Sequence, residues 1–393
     1  MKKIVLLLLA FMLAAPSVSA GEARFGLITC APGNEAYSLF GHTALRYVDE
    51  DRGVDKVYNY GYFSFDAPNF AWRFILGQTD YLVASVPYEY FLPEYAERGS
   101  EVVEQVLNLS PVQTARLYRL LEENCRVQNR VYRYNYFYAN CTTKARDKFI
   151  ESLGEGCSIV YGDSAGAMPT LREALAVMTA PHPWYSFGID LLLGSDVDEP
   201  ASLELLQFIP ANLMNNLEKA LLTDAVGNSV PAVKETNILL HGNMPVAARN
   251  NFTPFNASLL FLLFTFIVML CELRKKKTYW GYDVFIMTIQ GLGGCLLLFM
   301  ALCSEHPAVD ANYAMLLINP LSLVLMPFML FAIIKHKSLH IAWVQVAFVV
   351  LFFLSAIFGL QHYPAPLYFC AVAILSRSLF HIYKKRICEL DIV

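Results

Sequence analysis

The sequence predicts an exported α+β domain followed by an all-α helical transmembrane bundle. Hydrophobic residues make up 56% of the 393 residues, and the mean hydropathy is +0.40. This excess is uneven, because residues 21–250 carry nearly all the acidic groups whereas residues 255–383 form a series of long apolar runs. The chain also starts like a secreted protein, and an aromatic period-two run typical of a strand ends at an Asn-Cys pair.

The N-terminus predicts a secretory signal peptide. Lys2 and Lys3 precede the apolar residues 4–13, and the small-residue pattern at 18–20 predicts cleavage after Ala20. The alternative is an uncleaved anchor, but an apolar run of about ten residues is short for a membrane span. The predicted organisation is therefore a signal peptide (1–20), an exported catalytic domain (21–250) and a membrane domain (251–393).

The exported domain alternates between strand-like and helix-like segments. Ser110 followed by Pro111 predicts a helix start, with Ser as the N-cap and Pro at the first helical position. The predicted strands are 43–48, 57–63, 81–87, 101–109 and 131–138. The predicted helices are 68–76, 88–98, 110–125, a helix that starts after Asn140, 170–178 and 210–222.

The membrane domain contains five apolar runs, each close to the ~20 residues that cross a bilayer. Basic residues follow the first, third and fifth runs, and the loops after the second and fourth have no Lys or Arg. The positive-inside rule then places the basic loops and the C-terminus in the cytoplasm and the exported domain on the outer side of the membrane, in agreement with the signal peptide. The predicted spans are 255–273, 282–303, 313–334, 341–360 and 364–383.

The Asn140-Cys141 pair is the first candidate for chemistry. Asn140 is a good N-cap, so Cys141 is expected in the first helical turn, where backbone N–H groups and the helix dipole stabilise a thiolate. A thiol nucleophile needs a base, and histidine is the usual one. Spacing alone does not choose among His42, His182 and His241.

Three short stretches resemble a known family. Residues 40–46 (FGHTALR), 58–61 (YNYG) and 140–147 (NCTTKARD) look like the Lnb N-terminal periplasmic domain family. The order of His before an Asn-Cys helix start is also similar to permuted NlpC-type, papain-like folds, which include the lecithin:retinol acyltransferase-like enzymes. The resemblance covers roughly residues 25–220 and extends more weakly to the membrane domain.

The resemblance implies a Cys-His acyltransferase with Cys141 as the nucleophile and His42 as the base. The implied reaction moves an acyl chain from a phospholipid to the N-terminal amine of a diacylglyceryl-cysteine lipoprotein, and it needs no cofactor. Asn59 is a candidate for orienting the imidazole, with a purely structural hairpin role as the alternative. Backbone N–H groups at the helix start are the candidate oxyanion donors.

Other residues are weaker candidates for supporting the site or binding substrate. Asn140 and Tyr60 belong to the matching stretches. Arg46, Arg146 and Asp147 are candidates for binding a phosphate head group, and structural ion pairs are the favoured alternative. Asp190, in an apolar segment, is expected to have a structural role. His306 in an outer loop and Asn319 before Pro320 are candidates for lining a lipid or lipoprotein access path in the membrane domain.

Several function classes lack support. The net charge of −4 gives no basic footprint for nucleic acid. The sequence contains no GxGxxG, P-loop, HExxH or paired CxxC motif, so nucleotide and metal sites are not expected. The sequence does not decide whether two of the three residues Cys30, Cys125 and Cys157 form a disulfide.

Two rival functions share the same residues. One is a membrane-tethered cysteine peptidase or amidase of the cell envelope, with water or an amine as the acceptor. The other is a non-enzymatic envelope sensor or assembly module in which Cys141 is structural. The second rival predicts Cys141 in a disulfide, or more than about 6–7 Å from any histidine.

Overall fold

A computed structural model describes residues 23–35, 37–162, 167–243, 251–335 and 341–390. The predicted signal peptide lies outside the described residues, so its cleavage stays a prediction.

The N-terminal domain is built on a seven-stranded antiparallel sheet with the strand order β10-β5-β1-β2-β3-β4-β6. A small sheet with the order β7-β8-β9 lies apart from it. The strands are β1 (Arg24–Cys30), β2 (His42–Asp49), β3 (Val54–Tyr62), β4 (Asp80–Pro87), β5 (Val102–Leu107), β6 (Val131–Arg133), β7 (Ser158–Val160), β8 (Leu221–Thr223), β9 (Ser229–Pro231) and β10 (Val233–Leu240).

Helices cover both faces of the large sheet. The helices of this domain are α1 (Phe70–Ile75), α2 (Tyr88–Arg98), α3 (Pro111–Asn124), α4 (Cys141–Leu153), α5 (Leu171–Thr179), α6 (Pro183–Leu192), α7 (Leu203–Leu206) and α8 (Pro210–Glu218). On one face α3, α4 and α8 bury a core that includes Tyr58, Tyr60 and Phe149. On the other face Phe91 and Tyr95 of α2 pack over the sheet. The domain thus combines helices with an antiparallel sheet, and the predicted α+β class is confirmed.

The predicted strand over the aromatic run is wrong beyond its first residues. The β6 strand ends at Arg133 and a turn follows, in which the Asn135 and Ala139 backbones bond to each other. The Asn135 side chain also accepts the N–H groups of Phe137 and Tyr138, both at 3.2 Å. An Asn side chain that bonds its own backbone favours a turn over a ladder, which overrides the aromatic alternation.

One other prediction differs from the structure, and one strand was not predicted. The predicted helix 210–222 ends at Glu218, and its last residues form β8 instead. Sequence reasoning also missed β1, which runs through the centre of the sheet. Because β1 is buried on both faces, its sequence RFGLITC lacks the alternation of a half-buried strand. The remaining predicted strands and helices are confirmed within a few residues.

The C-terminal domain consists of α9 (Pro254–Lys275), α10 (Trp280–Cys303), α11 (Leu321–Ile334), α12 (Ile341–Ile357) and α13 (Ala365–Leu390). Four segments of the described chain are long and apolar enough to cross a membrane: Pro254–Lys275, Trp280–Cys303, Tyr313–Ile333 and Ala365–Tyr383. The fourth predicted span, α12, is a shorter apolar helix. The count of five spans therefore stays a prediction.

The third span is interrupted where Asn319 precedes Pro320. A 3-10 turn at Tyr313–Leu316 comes first, and α11 begins only after Pro320. Asn319 is buried against α10, where a Cβ on Gly294 would lie 2.3 Å from its carbonyl carbon. Only glycine allows this approach, so the break packs tightly inside the bundle.

The two domains contact each other through a buried arginine. Arg172 of α5 donates to Asp198 at 2.6 Å and to the Gly194 carbonyl at 2.7 Å, and it pairs with Asp190. Asp198 also accepts the backbone N–H of His362, from the loop between α12 and α13, at 3.0 Å. Asp190 thus has a structural role, and the Arg172 network fixes the segment that docks on the helical domain.

Replacing Arg172 by Met is expected to destabilise this junction. The change leaves two carboxylates without their cation, and breaking a buried pair from one side costs about 3–5 kcal/mol. We expect a clear fall in the thermal unfolding midpoint of the detergent-solubilised chain. The control Arg126→Met removes an exposed pair with Glu123 and is expected to leave the midpoint unchanged. Equal midpoints for both variants would contradict this role of Arg172.

Candidate active site

Cys141 is the first residue of α4, as predicted, and Asn140 is its N-cap. The Asn140 Oδ1 atom accepts the N–H groups of Thr142 and Thr143, both at 2.9 Å. Its Nδ2 atom donates to the carbonyls of Tyr136 at 3.0 Å and Phe208 at 2.8 Å. Asn140 therefore fixes the start of α4 to the aromatic turn and to the loop before α8.

His42 is the first residue of β2, opposite Cys30 of β1. Gly41 precedes it with φ +79°, and a Cβ at this position would lie 2.5 Å from the Cys30 carbonyl oxygen. The tight approach of the chain to β1 therefore needs glycine. The imidazole stacks beside the Tyr95 ring, with centroids 6.3 Å apart and planes at 19°.

Asn59 on β3 orients the imidazole. Its buried Oδ1 atom lies 2.5 Å from His42 Nε2. Because an amide oxygen can only accept, Nε2 carries the proton and Nδ1 is left to face the thiol. The His42 side chain is also hydrogen-bonded to Cys141. The structure thus brings Cys141, His42 and Asn59 together in one hydrogen-bonded line.

The thiol lies where the pairing of β2 with β3 ends. That ladder runs from Asp49 opposite Val54 to Leu45 opposite Tyr58. Beyond it, a hydrogen bond from the Thr43 backbone N–H to the Cys141 sulphur helps to lower the pKa of the thiol. The Thr142 hydroxyl lies 3.8 Å from the same sulphur.

Gly61 leaves the Cys141–His42 pair uncovered. It sits at an irregularity of β3 with φ +103°. A Cβ built there would lie 3.7 Å from His42 Cε1 and 3.9 Å from the Cys141 Cβ. Any larger side chain would extend over the pair, so glycine keeps this side open.

The pair is polarised toward thiolate and imidazolium. Burial raises the pKa of Cys141, but the charge of His42 and hydrogen bonds from His42, the Thr43 N–H and Thr142 outweigh it. The net effect lowers the pKa of Cys141 from 9.0 to about 7. Burial lowers the pKa of His42. The charge of Cys141 and the hydrogen bonds to Cys141 and Asn59 raise it by more than burial lowers it, so the pKa of His42 is above its usual 6.5.

One first-turn amide remains for an oxyanion. Asn140 occupies the N–H groups of Thr142 and Thr143, so these two are not free for a substrate. The N–H of Cys141 itself is the first-turn donor that Asn140 does not take. Of the predicted oxyanion donors at the start of α4, the Cys141 N–H is therefore the candidate that remains.

Tyr60 and Arg46 lie close to Asn59 and His42 in sequence, but their side chains bond to residues outside the site. Tyr60 points into the core on the face opposite Asn59 and donates to Asn124 at 2.7 Å. Arg46 pairs with Asp55 at 2.6 Å and Glu104 at 3.3 Å. It also lies four residues from His42, about 13 Å along the strand.

The other predicted supporting residues are not brought to the thiol. Arg146 bonds its neighbour Asp147 at 2.8 Å and the Glu204 carbonyl at 2.8 Å. The His306 Nε2–H donates to the Phe74 carbonyl at 2.7 Å, and this hydrogen bond joins the two domains. Asn319 is buried in the helical domain beside the break before α11.

Two of the three candidate histidines are placed elsewhere. His182 precedes α6 and packs beside Tyr185, and His241 is exposed after β10. Sequence spacing could not exclude them, because the choice depends on the β2–α4 contact across about a hundred residues.

Sequence reasoning missed Gly61, Thr43 and Tyr95 as parts of the site. The first had a usable signal, because period-two alternation puts Gly61 on the same strand face as Asn59. The Thr43 amide and the Tyr95 ring have no such signal, since their roles follow from tertiary packing.

The described residues form neither a disulfide nor a candidate metal site around Cys141. Cys30, Cys125, Cys141 and Cys157 are all free thiols, so the one disulfide left open by the sequence does not form. Among the described residues, no group of His, Cys, Asp or Glu side chains could hold a metal ion.

Two family models match the chain. The Lnb N-terminal periplasmic domain matches residues 15–157, and the Lnb transmembrane domain matches residues 247–386. The chain belongs to the Lnb family. A search of curated proteins and a search of solved structures found no match. As a member of the Lnb family it is a membrane protein with a periplasmic N-terminal domain, and that domain carries Cys141 and His42.

The pH dependence of Cys141 alkylation tests the polarised pair. A lowered pKa means that the thiolate is present above about pH 7 and is lost below it. We expect the iodoacetamide rate at Cys141, followed by peptide-resolved mass spectrometry, to have its midpoint near pH 7. Cys125 is an internal reference, because burial raises its pKa to about 11.

The variant His42→Ala should move the Cys141 midpoint upward, since burial is then no longer opposed by the imidazolium charge. The Cys125 profile should not change. A Cys141 midpoint that is the same with and without His42 would contradict the assignment of the pair.

Proposed function

We propose that this Lnb-family protein is a lipoprotein N-acyltransferase. It moves an acyl chain from a phospholipid, through a thioester on Cys141, to the N-terminal amine of a diacylglyceryl-cysteine lipoprotein. The observation that carries the proposal is the hydrogen-bonded Cys141–His42–Asn59 line in a domain docked on membrane helices. A sensor module with a structural Cys141 predicts a disulfide or a thiol far from histidine, whereas Cys141 is a free thiol beside His42.

The first half-reaction acylates Cys141. The thiolate attacks the carbonyl carbon of a phospholipid ester, and the Cys141 N–H stabilises the oxyanion that forms. The ester C–O bond then breaks while the C–S bond stays. The His42 imidazolium gives its proton to the departing lysophospholipid oxygen, so the acyl-enzyme holds a neutral imidazole.

The second half-reaction transfers the chain. The lipoprotein α-amine attacks the thioester carbonyl, a C–N bond forms and the C–S bond breaks. His42 accepts the proton that the amine loses, which restores the thiolate and imidazolium. Asn59 holds the imidazole in one tautomer through both steps, because its Oδ1 accepts only from Nε2–H.

The topology supports this substrate pair. We place the protein in the inner membrane with its C-terminus in the cytoplasm, because basic residues follow the first, third and fifth apolar runs. The thiol then lies in the periplasm beside both the phospholipid and mature lipoprotein N-termini. A wall peptidase or amidase would need only one anchor.

Complementation tests the proposal. The wild-type chain and Cys141→Ala are expressed in a strain depleted of its own lipoprotein N-acyltransferase. We expect the wild type to restore growth and N-acylated lipoproteins, read by mass spectrometry of their N-terminal peptides. Cys141→Ala should reach the membrane at the same level and restore neither.

The control is Cys125→Ala, which removes a partly buried thiol that the proposal does not use. It should complement as the wild type does. N-acylation of lipoproteins by the Cys141→Ala variant would contradict the assignment of Cys141 as the nucleophile. Release of free fatty acid or wall peptide, without N-acylated lipoprotein, would assign the hydrolase function instead.

A further inference from the structure

An aromatic ladder connects the Cys141 site to the helical domain. We define it as Tyr134, Tyr81, Phe63, Phe70 and Phe74, whose rings follow one another. The successive ring centroids are 4.2, 4.8, 5.6 and 6.1 Å apart, and each pair of planes is within 24° of parallel. Stacked rings at these separations make a continuous apolar surface.

The inner end of the ladder lies at the thiol. Phe63 follows Gly61 by two residues and comes directly after the end of β3, so about 7 Å of extended chain separates them. Gly61 is the residue whose added Cβ would touch both His42 and Cys141. The negative charge of Cys141 also contributes, after burial, to raising the pKa of Tyr81 to about 12. The inner rings are therefore within electrostatic reach of the nucleophile.

The outer end of the ladder reaches the end of a membrane span. The Trp72 ring on α1 lies 5.3 Å from the ring of Phe299, in the last turns of α10. The Ser304 hydroxyl donates to the Ile75 carbonyl at 2.8 Å, and the Glu305 N–H to the Leu76 carbonyl at 2.8 Å. These bonds hold α1 at the level where α10 leaves the membrane. Trp and other aromatic residues favour this interface.

The polar side of α1 is fixed by charged groups. Arg73 and Arg133 both bond Asp80, at 2.6 and 2.7 Å. Arg133 also bonds Glu305 of the helical domain at 3.1 Å. These pairs hold α1 to β4, to β6 and to the loop that follows α10.

Aromatic side chains of α1 and of the segment before it are exposed. Phe65, which packs on the Phe63 and Phe70 rings, is 65% exposed, Trp72 is 55% exposed and Phe74 is 46% exposed. Three large aromatic side chains on one short segment are costly to leave in water. The segment is continuous with an apolar span, so a lipid chain is the occupant with the matching chemistry.

We propose that Phe65, Trp72 and the aromatic ladder form a binding track for the acyl chain of a membrane phospholipid. A lipid leaves the outer leaflet at Trp72 and Phe74, and its chain lies along the rings until its ester carbonyl reaches Cys141. This inference rests on the proposed acyl transfer for its purpose, but the binding itself does not need the reaction.

The first experiment reads binding without chemistry. Full-length Cys141→Ala is placed in nanodiscs with a phosphatidylethanolamine that carries a photoactivatable diazirine on one acyl chain. After irradiation, we expect adducts on the tryptic peptide spanning residues 57–73. Adducts confined to α9–α13 would overturn the track. Adducts from a photoactivatable lipoprotein peptide in place of the lipid would assign the surface to the acceptor and would also overturn it.

The second experiment reads transfer. The double variant Phe65→Ser, Trp72→Ser should consume bilayer phospholipid about tenfold more slowly than the wild type, because apolar contact is lost along the track. Its Cys141 alkylation rate should stay at the wild-type value, which shows an intact site. The matched control is Tyr90→Ser, which removes an aromatic ring that is 71% exposed on α2.

The outcomes separate the two proposals. Turnover by the double variant at the wild-type rate would overturn the track and leave the proposed acyl transfer standing. A wild-type chain that consumes no phospholipid would overturn the proposed acyl transfer, and the photo-crosslinking result would still decide whether the track binds lipid.

Discussion

The Thr43 N–H, next to the start of β2, donates its hydrogen bond to the sulphur of Cys141. The ladder between β2 and β3 ends at Leu45 and Tyr58, which leaves an opening beside Thr43. The start of α4 fills this opening, and Asn140 holds it there through four hydrogen bonds. The packing of α4 against β2 also brings the Cys141 thiol to His42, which lowers the pKa of the thiol. The side of the site next to Gly61 stays open.

The site is held at a defined position relative to the membrane helices. The Arg172 network docks one edge of the periplasmic domain on the helices, and the bonds between α1 and residues 304–306 dock another. The thiol is therefore held at a fixed distance from the end of α10 rather than on a flexible tether. A rigid junction suits the acyl transfer that we propose, because the donor lipid would then have to leave the bilayer only far enough to bring its ester to Cys141.

Much of this arrangement could be predicted from the sequence where local chemistry decides it. The Asn140 cap, the Ser110-Pro111 helix start and the apolar spans all follow from short-range rules. The turn at Asn135 was missed because a side-chain bond overrode the aromatic alternation. Strand β1 was missed because burial on both faces removes the alternation. The choice of His42 over His182 and His241 depends on long-range packing, so only the resemblance to a family could favour it.

The most direct test of the central claim is to trap the acyl-enzyme. The purified chain is reconstituted in liposomes of a phospholipid with one defined acyl chain and no lipoprotein acceptor, and Cys141 is read by mass spectrometry. We expect a mass increase of one acyl group on Cys141. Hydroxylamine should remove this group, and an added diacylglyceryl-cysteine peptide should take it up as an amide. Acylation of that peptide with no thioester at any stage on Cys141 would contradict the central claim.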